Sequence, residues 1–221
     1  LESDINLKTQ NLAELRDTQK EKFGALQEQK LQRKQLIARI SGQLAVQGNE
    51  LEHLQENEKQ LQALVYSLQE VLSDIPADAT RHQSFKSLKG KLPWPANGRL
   101  SRRFGTQRGN SGLTWQGVMI SAPEGGRVKA VSQGRVAFAD WLRGFGLLLI
   151  VDHGDGYMSL YGQNQALYKE VGEWVDSEEV VATLGASGGQ TDAGLYFELR
   201  YKGRPQNPVK WCAGKPAAAP G

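Results

Sequence analysis

Residues 194–202 read GLYFELRYK. Side chains along a strand alternate between two faces. Leu195, Phe197 and Leu199 therefore share one side, and Tyr196, Glu198 and Arg200 share the other. The first set is suited to a core; the second is amphipathic. Short β-rich runs of the same kind precede it: GRVKAV, GRVAFADW, FGLLLIVDH, YMSLYG and EEVVATLG, with Gly-containing turns such as HGDG at 153–156 between many of them. Runs this short and this closely spaced predict antiparallel sheets in a sandwich or barrel-like arrangement.

Upstream the composition changes sharply near Pro76. Residues 1–75 hold no proline and three glycines, and are rich in Gln, Leu, Lys and Glu, the composition of a long helix or coiled coil. Leu51, Leu54, Glu58, Leu61, Val65, Leu68 and Leu72 advance in steps of three and four along one seam, which only Glu58 interrupts. The first half is less regular, and Gly48-Asn49 is a candidate point of reversal. The expected organisation is a helical coiled-coil region over 1–75, a polar linker over 76–92 in which Phe85 and Leu88 touch the domain, a mainly β domain over 93–212 entered through Pro93-Trp94-Pro95, and a disordered tail over 213–221.

The net charge of +3 is small and the basic residues are interspersed with acidic ones, so no nucleic-acid footprint is expected. The longest apolar run, Leu147–Val151, has the length of a strand, not of a membrane span. The chain opens at Leu1 and reads as a piece of a longer protein, so its lack of a signal peptide carries no information on export. The single cysteine, Cys212, is read as an incidental thiol.

The residues from about Pro93 to Trp211 carry seven landmarks in order: GVMISAPEG, VKAVSQGRV, GFGLLLIVDHGDG, SLYG, VGEWV, LGASGG and LYFELR. On these the segment resembles the LytM-type domain of peptidase family M23, and with the preceding coil it is similar to the family's murein hydrolase activators. Active members are zinc endopeptidases that cut peptidoglycan cross-links. The resemblance places Trp115 and Met119 on the family's H-x-x-x-D ligands, Gln163 on a later catalytic histidine, and Gly194 and Tyr196 on the final H-x-H. A catalytic zinc needs several N, O or S ligands and an open position. Trp has no lone pair to offer, Gly no side chain, Met only a weak thioether, and Tyr stays protonated near neutral pH. His53, His82 and His153 lack metal-ligand spacing. The expectation is a domain without zinc, other cofactor or catalysis.

The former active-site groove then becomes a binding surface. By resemblance its lining comprises Gln116, Met119, Phe145, Leu148, Tyr161, Tyr196 and Arg200. The implied partner is a zinc-dependent N-acetylmuramoyl-L-alanine amidase, which the domain switches on in septal peptidoglycan splitting; the implied location is the periplasm at the division septum. The coil is implied to dock on the FtsE–FtsX membrane complex. Direct peptidoglycan binding and pure scaffolding are the competing readings, and an active zinc endopeptidase the remaining one. The family also lays a restraining segment across the groove. Here such a segment would have to come from Leu61–Ile75, although the regular heptads favour packing of that seam in a coiled coil.

Overall fold

The computed structural model describes residues 28–30, 32–37, 50–73, 84–108, 113–189 and 192–216. The first half of the expected coil apart from residues 28–30 and 32–37, the reversal at Gly48-Asn49, residues 76–83 of the expected linker, and the tail beyond Pro216 lie outside these. The chain forms two compact units, Leu1–Gly48 and Asn49–Gly221. In the first, residues 28–30 and 32–37 are helical. The second holds helix α1 (Glu50–Ser73) and ten strands.

The strands are β1 (Arg99–Arg102), β2 (Val118–Ser121), β3 (Arg127–Lys129), β4 (Gly134–Leu142), β5 (Gly146–Asp152), β6 (Tyr157–Leu167), β7 (Trp174–Val175), β8 (Val180–Leu184), β9 (Gly194–Tyr201) and β10 (Arg204–Gln206). All pairings are antiparallel, in the order β1-β2-β9-β6-β5-β4-β7, with β10 on β9. The long β6 shifts register between Asn164 and Ala166 and continues onto β8, which pairs with β3. A bulge of this kind bends a strand away from its first sheet.

Alternation sorts the side chains into two apolar layers. Val118 and Ile120 from β2, Leu149 and Val151 from β5, Tyr161 from β6 and Leu195, Phe197 and Leu199 from β9 pack with Val128, Val181, Ala182 and Leu184 of β3 and β8. The intervening residues Met119, Leu148, Ile150, Met158, Leu160 and Tyr196 form the second layer, on the opposite face. Residues 84–92 fold onto the first layer. Phe85 stacks on His153 with centroids 4.5 Å apart, and Leu92 N–H donates to the Trp211 carbonyl at 3.1 Å.

The seam of α1 packs differently from the coiled coil expected of it. Leu61 and Val65 are fully buried, Leu64 and Leu68 partly so, all against the second layer of the sheet. The reason is an unmet need for burial on both sides. A sheet with apolar residues on both faces requires cover on each, and the amphipathic stripe of α1 supplies it within the same unit. The helix itself follows from 24 residues free of Gly and Pro.

Candidate functional site

The face beneath α1 is the region to which the resemblance assigned the groove. Met119 on β2 and Tyr196 on β9 are direct cross-strand partners, and Gly162 on β6 faces Tyr196 from the other side. Phe145, in the β4–β5 turn, and Trp115, before β2, bring their rings to 5.3 and 6.3 Å from that of Tyr196. Arg108 lies over Trp115 at 4.5 Å from the ring centroid, a cation–π contact. At Gly194 a Cβ would come within 2.8 Å of the Ile120 carbonyl oxygen, so the backbone approach leaves no room for a side chain. Gln163 follows Gly162 with φ 66°; its N–H donates to the Phe145 carbonyl at 2.7 Å and its buried Oε1 finds no hydrogen-bond donor.

Beside the apolar floor runs a buried polar chain. Tyr196 donates its hydroxyl to Glu198 Oε2 at 2.7 Å, and Arg200 Nε–H donates to Glu198 Oε1 at 2.6 Å. Arg200 also donates through Nη1 to Gln62 Oε1 on α1 at 2.8 Å, and its Nη2 lies 3.8 Å from Glu58 Oε1. Burial raises the Glu198 carboxyl, with the Arg200 charge opposing it. Burial likewise raises Glu58, against the pull of Arg200 and Arg108. Tyr196 is driven well above the ordinary phenol by burial and by the Glu198 charge, so it remains a hydroxyl. Arg200 thereby gives the buried Glu198 a cationic donor and ties α1 to β9. Two further contacts hold the helix: Gln62 Nε2–H donates to the Gly203 carbonyl at 3.3 Å, and Arg143 Nη2 lies 2.9 Å from His53 Nδ1. At Gly144, φ 80°, a Cβ would come within 2.2 Å of Asn57 Nδ2, so only glycine lets the β4–β5 turn meet α1 this closely.

The expected groove residues separate into three groups. Met119, Phe145, Leu148 and Tyr196 share the layer under α1. Arg200 is beside them but 1% exposed and engaged by Glu198, Gln62 and Glu58; Gln116 is half-buried at the margin, donating to the Thr114 carbonyl at 3.3 Å. Tyr161 is a correction. It sits in the opposite layer, its hydroxyl accepting from Val131 N–H at 3.0 Å and lying 2.8 Å from Ser159 Oγ. Its parity on β6 matches Tyr157 and Ser159, not Leu160, which puts it on the core side. The sequence reading left out Glu198, Glu58 and Gln62, although alternation already placed Glu198 between Tyr196 and Arg200.

The residues at these positions do not fit a zinc ion. Met119 is buried among apolar side chains, the Tyr196 hydroxyl is committed to Glu198, and no side chain can be placed at Gly194 without moving the backbone. Among the described residues no three His, Cys, Asp or Glu side chains cluster as a metal site. His153 belongs to the other face. Its Nδ1 lies 2.7 Å from the Gln133 carbonyl and its Nε2 2.7 Å from Ser159 Oγ, and burial lowers it to about 4, so the ring is neutral and fully engaged.

Comparison with known proteins shows what this arrangement is similar to. The family model "Peptidase family M23" matches residues 113–208. Murein hydrolase activator EnvC of Escherichia coli (strain K12) is 46% identical over 123 residues, covering 56% of this chain and 29% of that protein. Murein hydrolase activator NlpD of the same organism is 34% identical over 119 residues, 53% of this chain and 30% of that protein. The chain thus matches under a third of the length of either relative. A solved zinc-containing peptidase from Vibrio cholerae shares the fold with a TM-score of 0.52 at 20% identity, over 57% of this chain and 41% of that one. Residues 113–208, which carry these positions, are thus similar to peptidase family M23.

Proposed function

We propose that this chain is a non-catalytic activator of periplasmic N-acetylmuramoyl-L-alanine amidases in septal peptidoglycan splitting, and that α1 holds it in an occluded state. The observation that carries the reading is the lining of the groove. Trp115, Met119, Phe145 and Tyr196 form an aromatic and apolar surface where zinc peptidases need ligands. Such side chains concentrate binding energy at protein interfaces. The names of the relatives, murein hydrolase activators both, support the direction of the effect.

In this reading the amidase performs the chemistry. The groove binds the amidase's active state more tightly than its inactive one, which is the requirement for any population shift. Leu61 and Val65 occupy the surface that the amidase needs, so release of α1 precedes activation. The N-terminal helical region is the natural receiver of a releasing signal, with the FtsE–FtsX complex as its proposed docking partner. Saturable amidase binding tests the assignment. Measured in a chain whose α1 is released by Leu61→Ala and Val65→Ala, it should be lost when Met119→Glu places a charge in the groove, and retained when an exposed residue remote from it, such as Lys210, is changed. Equal binding by both variants would move the interaction elsewhere and favour the scaffold reading.

A further inference from the structure

The segment between β6 and β7 carries a tight, exposed turn. Glu173 N–H donates to the Glu170 carbonyl at 3.2 Å, and Gly172, the third residue of the turn, has φ 96°, a value that favours glycine there. Glu173 Oε2 accepts from Glu170 N–H at 2.6 Å. The turn is tied to β4: Gly172 N–H donates to the Val136 carbonyl at 2.8 Å, and Arg135 Nε–H donates to the Gly172 carbonyl at 3.1 Å. These bonds hold an apolar tip in place. Val171 is 63% and Trp174 45% exposed, and the exposed Glu170 and Glu173 flank Val171 along the turn.

A surface of opposite charge lies at the other end of the strand order. A cleft of about 790 Å³ opens beside β1. Its lining includes three exposed cations, Arg99, Arg103 and Lys215, and no carboxylate. Leu100, Pro123 and the Trp94 ring give it an apolar side. The Trp94 indole N–H donates to the Ala213 and Gly214 carbonyls at 3.1 and 3.3 Å, which fixes the ring. β1 and β7 are the end strands of the path β1-β2-β9-β6-β5-β4-β7, separated along the sheet by six strand spacings of about 4.8 Å. No residue of the Glu170–Glu173 turn lines the cleft, so the turn does not fill the cleft of its own chain.

We infer that the turn of one copy seats in the cleft of a second copy. Val171 then meets Leu100, Pro123 and the face of Trp94, while Glu170 and Glu173 pair with Arg99 and Arg103 of the second copy. Guanidinium forks engage carboxylates in bidentate fashion. The Cα atoms of the two glutamates are within about 7 Å, as in any tight turn, and those of the arginines are about 13 Å apart on extended backbone. Side chains as long as arginine close that difference from both sides. A second copy also covers the exposed Val171 and Trp174, which a small anion in the cleft would leave in water. The contact joins unlike surfaces, so each added copy brings a new turn and a new cleft and the assembly grows head to tail. A contact of this size is weak and, with ion pairs at its rim, sensitive to salt. Neither surface includes the residues under α1, so association proceeds whether or not the helix covers the groove.

The test is sedimentation velocity of the whole chain over a range of protein concentrations, at about 0.05 M and about 0.5 M salt. Wild type should associate reversibly, and less at the higher salt. Arg99→Glu/Arg103→Glu and Glu170→Lys/Glu173→Lys should each raise the dissociation constant about tenfold or more. All four changed side chains are exposed. An equal mixture of the two variants should associate again, because the reversed cleft of one suits the reversed turn of the other and the unchanged pair still matches. Val171→Arg, which leaves the hydrogen bonds of the turn in place, should weaken association as well. Wild type that stays monomeric would overturn the inference. So would association that neither charge reversal weakens, which would place the contact in another part of the chain. Loss in both variants without recovery in their mixture would show that turn and cleft do not meet.

Discussion

Replacing Leu61 and Val65 together by alanine should free the groove without breaking the helix. Both side chains are fully buried against Met119, Phe145, Leu148 and Tyr196. The two changes remove about five buried carbons, at about 0.8 kcal/mol each, or about 4 kcal/mol of docking free energy. Since about 1.4 kcal/mol is tenfold, the docking equilibrium should fall by roughly three powers of ten. Alanine is the strongest helix former, so the substitutions do not lower the intrinsic helicity of α1. A helix of this length is marginal once undocked, so amide exchange across residues 54–68 should accelerate by up to that same factor. Affinity for an amidase should rise as the competing cover is lost. Unchanged exchange across α1, or faster exchange with no gain in amidase affinity, would refute the argument that the helix restrains the groove.

Other outcomes follow from the same contacts. Gln62→Ala removes the α1 acceptor of Arg200 and the donor to Gly203, about 1 to 3 kcal/mol of helix docking, and should raise activation less than the double alanine change. Arg200→Ala should lower the unfolding free energy measured in urea by about 3 to 5 kcal/mol, because it leaves Glu198 buried without its cation; an unshifted midpoint would deny the pair its structural role. His153 has a folded-state value of about 4, below the ordinary 6.5. The unfolded chain therefore takes up a proton that the folded one refuses, so stability is whole above pH 6.5 and falls by about 3 kcal/mol as the pH drops to 4. His153→Gln should flatten that slope in urea titrations at pH 7 and pH 4.5. Cys212 is buried and its thiol is pushed up to about 12, so it should resist a disulfide reagent in the native state and react on unfolding.

Much of this architecture was legible in residue order. The alternation in Gly194–Lys202 separated the Phe197 face from the Tyr196 face, and the structure keeps that division across the sheet. The resemblance places Tyr161 in the groove, whereas its parity with Tyr157 and Ser159 within β6 puts it on the core side. The packing of α1 was obscured by a real ambiguity. Leu54, Leu61, Val65 and Leu68 make a seam that fits a partner helix or an apolar sheet face equally well, and periodicity does not name the partner. Glu58 was the clue: a break in the heptads for a coiled coil, it lies instead beside the Arg200 guanidinium.

The most direct test of the central claim is release of dye-labelled fragments from purified cell wall by the chain with the Leu61→Ala and Val65→Ala changes, assayed alone, with added zinc, and with an amidase. Release only in the presence of the amidase is the predicted result. Zinc-dependent release by the chain alone would contradict it, because Trp115, Met119, Gly194 and Tyr196 would then have to lie beside a metal site of different composition.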